Sequence, residues 1–429
     1  MQGILKWKLQ LLAGWYLKRY KPTIVAVTGN AGKTSTKEAI GAVVGSKKRV
    51  RISQGNLNNE LGVPLTILGD WGNEYYEKGP SRSFWLKVLC TAWLRFLLGQ
   101  TYPEVLLLEY GADHPGDIRG LASRYRPDVG VVTTVGDVPV HIEFFKDAEA
   151  VAAEKSELIK ALAATGAAIL NHDDDRVLDM KQASIAPVTT YGFNPESSIR
   201  VSDFEYRSSE DGVPLGVTFK LHVGGSFAPI HINGSLGRSQ AYAAAAAAAV
   251  GLKFGLNLVQ ISQALTHYVG PKGRLKILPG LKQSAIIDDT YNASPASTRL
   301  ALETLRDLPG IRKVAVLGDM LELGDHTIQA HRAIGILAAE FIDLLVCVGP
   351  RATFIAEAAQ SQMDSAKILS FETTEDAAEK IPALIRQYDL ILVKSSQGIR
   401  TEKIVAAILA DPAQAKHLLV RQSARWLKK

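Results

Sequence analysis

The chain has few of the features that mark exported or membrane-spanning proteins. It contains only two cysteines in 429 residues, Cys90 and Cys347, which excludes a disulfide scaffold and a cysteine-rich metal cluster. Its first 22 residues carry scattered lysines and no small-residue cleavage site after an apolar core, so no secretory signal is expected. The most apolar stretch, residues 84–98, is short for a bilayer span and is interrupted by two basic residues. These absences predict a cytoplasmic protein.

The composition is that of an ordinary globular protein. Hydrophobic residues make up 47% and charged residues 21%, and at about 150 residues per domain the length predicts two or three domains. The net charge of +6 fits a phosphate-rich ligand, an anionic membrane surface or a nucleic acid and does not choose among them. Because no basic stripe with interleaved aromatic residues lies outside two helical segments, we expect no nucleic-acid partner.

Apolar runs between helical segments predict an α/β fold with a mostly parallel sheet covered on both faces. The first predicted strands are Thr23–Thr28, Val105–Glu109 and Val129–Val135. Residues 1–22 predict an amphipathic helix, with one broad face formed by Ile4, Leu5, Leu9, Leu12 and Tyr16. Between residues 199 and 234 alternating polar and apolar residues predict an antiparallel patch. A second α/β series follows residue 270, with strands at Ala285–Asp288, Lys313–Leu317, Leu344–Val348 and Leu390–Val393.

We therefore expect three segments. Residues 1–22 form the N-terminal helix, residues 23–270 form a central α/β domain, and residues 271–429 form a C-terminal α/β domain.

The strongest motif is the segment TGNAGKTS at residues 28–35, which follows a predicted strand and opens a predicted helix. Glycines allow backbone N–H groups to close around phosphate oxygens, and the helix N-terminus favours negative charge. Lys33 can reach the β and γ phosphates, and the Thr34 hydroxyl can bind Mg²⁺. Val27 stands where the full pattern has a glycine, so the loop is a shortened variant. The predicted nucleotide contacts are Gly29, Asn30, Ala31, Gly32, Lys33, Thr34 and Ser35.

Three further residues are unremarkable alone. Glu109 ends a buried strand, at the edge of the sheet where ligands collect, although a solvated strand-end glutamate is the commoner interpretation. His141 follows the Val129–Val135 strand, and Lys155 lies in a predicted helix, where a lysine ordinarily faces solvent. The turn at residues 288–295 can hold a ribose or an adenine edge or can be purely local, and Arg274 offers a guanidinium to a phosphate.

Taken in order, these segments resemble the Mur ligase family. The matching segments are TGNAGKTSTKE (28–38), GNLNNELGVPLTIL (55–68), LLLEYGADHPGDI (106–118), HIEFF to AEKSEL (141–158), IIDDTYNASPAS (286–297), VAVLGDMLELG (314–324) and VKSSQGIRTEKIV (393–405). The resemblance implies a P-loop ATPase domain followed by a Rossmann-like ligase domain. It also implies an ATP-dependent carboxylate–amine ligase that works through an acyl phosphate. The branch suggested adds D-alanyl-D-alanine to a muramoyl-type peptide of the cell wall.

The resemblance also implies roles for single residues. Lys33 and Thr34 would bind phosphates and one Mg²⁺ supported by Glu109, while His141 and a carbamate on Lys155 would serve a second Mg²⁺. Further ATP contacts are implied at Gln240, Arg274, Asp289 and Asn292. Substrate contacts are implied at Asn56, Asn58, Asn59, Lys394 and Ser396.

Some features depart from the family pattern. Ser239, Gln240 and Ala243 stand where His, Asn and Asn are usual, and Ser395-Ser396-Gln397 replaces the usual Gly-Ser-Arg after Lys394. Only one predicted helix precedes the phosphate loop, so we expect the N-terminal UDP-binding domain to be missing or replaced by a partner. The open alternatives are a ligase with another acceptor (lipid-linked, pseudomurein-type or folate-type) and a non-catalytic nucleotide-binding subunit.

Aromatic and basic residues occur together in residues 1–21 and 84–98. This composition suits a membrane interface, and it equally suits two helices that pack on each other and on the ATPase domain. The first interpretation predicts an enzyme at the inner membrane face that acts on a lipid-linked peptide.

Overall fold

The computed structural model describes residues 2–136 and 145–427. Its strands are β1 (Thr23–Thr28), β2 (Val50–Ile52), β3 (Val105–Glu109), β4 (Val129–Val132), β5 (Ala167–Asn171), β6 (Val188–Gly192), β7 (Ile199–Ser208), β8 (Pro214–Val223), β9 (Ser226–Asn233), β10 (Lys276–Pro279), β11 (Ala285–Asp289), β12 (Lys313–Gly318), β13 (Leu344–Val348), β14 (Ile368–Phe371) and β15 (Leu390–Lys394). Its helices are α1 (Gln2–Tyr20), α2 (Lys33–Gly45), α3 (Gly62–Leu68), α4 (Gly72–Lys78), α5 (Arg82–Leu98), α6 (Asp117–Arg124), α7 (Ala148–Lys160), α8 (Asp175–Asp179), α9 (Arg238–Lys253), α10 (Leu258–Thr266), α11 (Pro295–Asp307), α12 (Thr327–Ala339), α13 (Thr353–Ala359), α14 (Thr374–Leu384), α15 (Glu402–Ile408), α16 (Ala415–Leu418) and α17 (Ala424–Leu427).

The first sheet has nine strands in the order β2-β3-β1-β4-β5-β6-β7-β8-β9. Pairing is parallel from β2 through β7, and β7, β8 and β9 pair antiparallel. The predicted parallel sheet with an antiparallel patch is confirmed. β1 lies between β3 and β4, so the phosphate loop follows an interior strand of the parallel part.

The second sheet has six strands in the order β10-β11-β15-β12-β13-β14. Only β10 runs antiparallel to its neighbour, and the other pairs are parallel. The predicted second α/β series is thus confirmed as a doubly covered sheet. Asp289 and Lys394 are paired at the carboxyl ends of β11 and β15.

Helix α9 packs against α2, the helix that begins at the phosphate loop. Its alanine run is buried from Ala243 to Val250, and alanine both favours the helix and allows two helix backbones to approach closely. The approach continues at Gly251, where an added Cβ would lie 2.7 Å from a methyl group of Val43.

Helix α1 packs on α3 and α5. Leu9, Leu12 and Tyr16 are buried, and the Tyr16 hydroxyl donates to the Ala92 carbonyl in α5 at 2.6 Å. The predicted apolar face is wrong at Ile4, which is 64% exposed. In the described part of the chain, no helix has the length and hydropathy of a membrane span.

The predicted strand at Val129–Val135 is too long, because β4 ends at Val132. The next residue, Thr133, turns toward the phosphate loop, and its hydroxyl donates to the Ala31 carbonyl at 2.6 Å. Beyond the C-terminal end of β4, the chain thus contacts the phosphate loop and no longer continues as a strand.

Candidate active site

The phosphate loop depends on two glycines with positive φ. Gly32 immediately precedes α2 with φ 81°. Gly29 has φ 140°, and an added Cβ there would lie 1.9 Å from the Thr133 hydroxyl oxygen. A residue larger than glycine at position 29 would therefore require Thr133, which follows β4, to move. The loop therefore holds its backbone N–H groups at the start of α2, where an anion is favoured.

Lys33 folds back over this loop. Its ammonium donates to the Gly29 carbonyl at 2.7 Å and to the Asn30 carbonyl at 3.3 Å. Burial lowers the pKa of Lys33, although the Glu109 carboxylate opposes the shift. The ammonium is thereby held next to the position where phosphate oxygens would enter.

Glu109 stands at the end of β3, beside the loop. Its carboxylate oxygens lie 3.4 Å from the Thr34 hydroxyl, 3.4 Å from the Lys37 ammonium and 3.2 Å from the Asn58 amide nitrogen. Burial alone would raise the pKa of Glu109, but the ammonium groups of Lys37 and Lys33 outweigh it and hold the pKa below its usual value. The side chain is therefore a carboxylate at neutral pH.

The asparagines of the 55–68 segment have different roles. Asn58 donates to Glu109, as described, and Asn56 accepts a hydrogen bond from the Tyr291 hydroxyl on the C-terminal half. Asn59 instead stabilises the chain locally, because its side-chain oxygen accepts from the Gly62 N–H at 3.0 Å at the start of α3.

Lys155 lies on α7 and is 2% exposed. Burial, followed by the nearby Lys33 ammonium, lowers the pKa of Lys155 to about 7. The adjacent Glu154 accepts from two backbone N–H groups at the start of α6, each at 2.7 Å, and so fixes α7 in place. His141, the predicted second metal ligand, lies outside the described residues.

The opposite wall comes from the C-terminal half. The Arg274 guanidinium lies 4.1 Å from the centre of the Tyr291 ring, which fixes its position by a cation–π contact. The Ser396 hydroxyl accepts from the Leu321 N–H at 2.8 Å and lies 3.2 Å from the Ala293 carbonyl. The Arg274 guanidinium and the Ser396 hydroxyl therefore have fixed orientations on this wall.

Lys394 and Asp289 were both predicted to contact ligands, and the structure pairs them with each other. The Lys394 ammonium lies 2.6 Å from the Asp289 carboxylate and 3.0 Å from the Asn292 carbonyl. Both side chains are at least nine-tenths buried. The pair ties β15 to β11 and fixes the turn that follows β11.

Gln240 is also buried away from this wall. Its side-chain oxygen accepts from the Tyr268 hydroxyl at 3.0 Å, and that hydroxyl lies 3.3 Å from the Ser35 carbonyl in α2. Gln240 thus supports the phosphate-loop helix from behind.

One cavity of about 760 Å³ joins the two halves. The predicted site residues that line it are Asn30, Ala31, Gly32, Lys33, Thr34, Asn56, Asn58, Asn59, Glu109, Arg274, Asn292 and Ser396. The predicted residues that are described but do not line it are Gly29, Ser35, Lys155, Gln240, Asp289 and Lys394. Their contacts with ligands stay predictions.

Sequence reasoning did not identify four residues at or next to this cavity. Lys37 follows Lys33 by four residues, which places it on the same face of α2, and that spacing was the available signal. Arg400 and Arg421 both pair with the buried Glu402, at 2.5 Å and 3.0 Å. Both guanidinium groups also lie against the ring of Trp426, which lines the cavity. No local pattern marked this C-terminal cluster.

Comparisons with known proteins agree with the motif order. Residues 94–251 match the Mur ligase middle domain, and residues 273–397 match the glutamate ligase domain of Mur ligases. The chain is 30% identical to the UDP-N-acetylmuramoyl-tripeptide–D-alanyl-D-alanine ligase of Bacillus subtilis, over 94% of this chain and 79% of that protein. It is 31% identical to the ligase of the same name from Mycobacterium leprae, over 91% of this chain and 74% of that protein.

A solved structure shows the same relationship. The MurF ligase of Thermotoga maritima in complex with ADP superposes with a TM-score of 0.76 at 26% identity, covering 93% of this chain and 82% of that one. The matches with the curated ligases cover 91–94% of this chain and give no support to the expectation that a front domain is missing. On these matches, the chain belongs to the Mur ligase family.

Proposed function

We propose that this protein is an ATP-dependent ligase that joins the carboxylate of a muramoyl tripeptide to the amino group of D-alanyl-D-alanine. The observation that carries the proposal is the single cavity in which Lys33, Thr34 and Glu109 face Arg274 and Ser396 from the other half of the chain. The names of the similar ligases support the choice of substrates.

The phosphates of ATP are assigned to the loop at the start of α2. Backbone N–H groups there, the helix dipole and the Lys33 ammonium all favour negative charge. The ADP complex of the similar Thermotoga ligase supports a nucleotide in this family's fold. Arg274 lies on the Tyr291 ring in the opposite wall of the same cavity, which supports a contact with the same phosphates.

The donor set beside the loop fits magnesium. Mg²⁺ commonly takes one or two protein oxygens and completes its coordination with phosphate oxygens and water. The Thr34 hydroxyl and the Glu109 carboxylate, 3.4 Å apart, are the oxygens that would hold it. When bound, the ion supplies positive charge against the phosphate oxygens. A second ion is proposed on His141 and Lys155.

A carbamate on Lys155 is supported by the state of its amine. With the pKa lowered to about 7, a large fraction of the amine is neutral at physiological pH. A neutral amine can attack CO₂, forming an N–C bond and releasing one proton, and the product is an anion with two oxygen ligands. This step would turn a buried cation into a metal-binding group.

The ligation itself requires two transfers. A carboxylate oxygen attacks the γ phosphorus of ATP, ADP leaves, and an acyl phosphate forms. The amine then attacks the acyl carbon, phosphate leaves with its bond electrons, and the amine proton is lost. Negative charge develops in both steps, so preorganised cations such as Lys33 and Arg274 supply the main stabilisation.

The test is phosphate release from ATP and Mg²⁺ with UDP-N-acetylmuramoyl-tripeptide and D-alanyl-D-alanine, added singly and together. Release only with both substrates, with the pentapeptide product found by mass spectrometry, is the expected result. No release in a preparation that binds ATP would overturn the assigned substrates and leave a ligase with another acceptor.

A further inference from the structure

Helix α1 is apolar on two opposite faces. Leu9, Leu12 and Tyr16 are buried against the protein, whereas Ile4, at 64%, and Trp7, at 61%, are largely exposed. Leu11 continues this outer face, because positions i, i+3 and i+7 share one side of a helix. A helix on the surface of a soluble protein normally has one apolar face, so a second apolar face calls for a second covering surface.

Helix α5 repeats this arrangement. Its inner face is formed by Phe84, Val88 and Ala92, which are buried. Its outer face carries Leu86, Trp93, Leu94 and Leu97, which are between 43% and 68% exposed. The exposed residues follow helical spacing, so they form one stripe.

The two stripes form a continuous surface. The Trp15 ring of α1 lies 5.2 Å from the Trp93 ring of α5 in an edge-to-face contact. The helices therefore do pack on each other, as one interpretation of the sequence predicts, but this packing leaves the outer stripes uncovered. We call the outer stripes of both helices the α1–α5 surface.

The charge of these helices indicates what covers the surface. Neither α1 nor α5 contains an aspartate or glutamate, and together they carry seven lysines and arginines. Among the residues that the structure describes, two of the seven form ion pairs with acids elsewhere, Lys6 with Glu60 and Lys87 with Glu74. Lys18 lies seven residues after Leu11 and therefore on the exposed face of α1. This surface therefore combines exposed tryptophan and leucine side chains with basic groups that have no acidic residue on the same helix. Surfaces of this composition bind anionic lipid interfaces.

We propose that the α1–α5 surface docks the protein on the surface of an anionic lipid bilayer. The outer stripes enter the headgroup and acyl boundary, and Lys8 and Lys18, which are exposed, lie among the lipid phosphates. Docking in this way needs no helix that crosses the bilayer, because the helices lie in the plane of the interface.

The test is flotation of the full chain with vesicles of phosphatidylglycerol and phosphatidylcholine, compared with phosphatidylcholine alone. We expect binding to the anionic vesicles that weakens as salt is raised.

The double variant Leu94→Glu, Leu97→Glu should bind at least about tenfold more weakly than the parent protein. Replacing Lys8 and Lys18 with alanine should weaken binding about fivefold for each charge. Ile311→Glu, at a position 88% exposed outside this surface, is the matched control and should float like the parent protein.

Absence of flotation with anionic vesicles at low salt would overturn the proposal. So would a dimer that sedimentation detects and Leu94→Glu, Leu97→Glu breaks, since a second copy would then cover the surface. Flotation does not depend on turnover, so this result and the ligase assay can fail separately. Circular dichroism on the double variant checks that it folds, and the salt dependence of the parent protein tests the proposal without any variant.

Discussion

The Lys37 ammonium lies 3.4 Å from the Glu109 carboxylate, and both side chains are almost fully buried. The two groups connect the phosphate-loop helix to the end of β3. The Lys37 ammonium lowers the pKa of Glu109 in a place where burial alone would raise that pKa. Glu109 can therefore serve as an anionic ligand without any change in pH.

Replacing Lys37 with methionine should lower the free energy of unfolding by about 3–5 kcal/mol, because the buried carboxylate loses its nearest cation. Urea denaturation of the ligand-free protein measures the change. Lys416→Met, at an exposed position, is the control and should shift stability very little. A change below about 1 kcal/mol for Lys37→Met would show that the pair contributes nothing.

Replacing Lys33 with alanine should reduce kcat for phosphate release about 100- to 1000-fold, since one preorganised cation is lost from the site of developing charge. The fold should survive, because the hydrogen bonds that the ammonium makes to described residues go to two loop carbonyls. Lys47→Ala, just beyond the other end of α2, should retain activity. Equal activity in the Lys33 variant would remove the loop from the mechanism.

Replacing Lys155 with alanine should abolish turnover, and short carboxylic acids added to the assay should restore part of it by supplying the missing oxygens. Lys160→Ala, an exposed position on the same helix, serves as the control. Turnover at the parent level in the Lys155 variant would refute its assigned role. Loss without rescue would argue against the carbamate.

Asp288 gives a prediction of stability against pH. Burial raises its pKa from 3.8 to about 6, so the folded protein favours the protonated carboxyl. Its contribution to stability is present in full below pH 4 and is lost as pH rises through 6, by on the order of 3 kcal/mol at most. Asp288→Asn keeps a side-chain oxygen for the Thr290 hydroxyl, which donates to Asp288 at 2.6 Å.

The measurement is urea denaturation of both proteins at pH 4 and pH 7.5. The asparagine variant should gain stability relative to the parent at the higher pH only. Parallel stability curves for the two proteins between these values would contradict the raised pKa of Asp288.

Most of the parallel core was predictable from the sequence because its strands are continuous apolar runs. β1 and β3 have the predicted bounds, and their neighbouring carboxyl ends bring Lys33, Thr34 and Glu109 together as the geometry of open α/β sheets requires. β2 has three residues and β5 begins with two alanines. β2 is too short, and β5 has too few β-branched residues, for either to stand out as a strand.

The rest of the site depends on packing between distant segments. A lysine four residues into a helix ordinarily faces solvent, and Lys37 is buried only because other elements close over α2. Lys394 and Asp289 are 105 residues apart in sequence, so their pairing follows from the neighbouring positions of β11 and β15. Trp426 reaches the cavity through the path of the C-terminal segment, which no local pattern specifies.

The alanine run of α9 gives the phosphate loop a dependence on residues far from it. Gly251 of α9 lies against Val43 of α2, and the buried Ala244 and Ala247 share its face of α9 by helical spacing. A bulkier residue at Ala244 or Ala247 would therefore displace α2. The N-terminus of α2 carries the loop, so that displacement would reposition the nucleotide. Nucleotide affinity should therefore fall when a larger side chain replaces an alanine on the face of α9 that contacts α2.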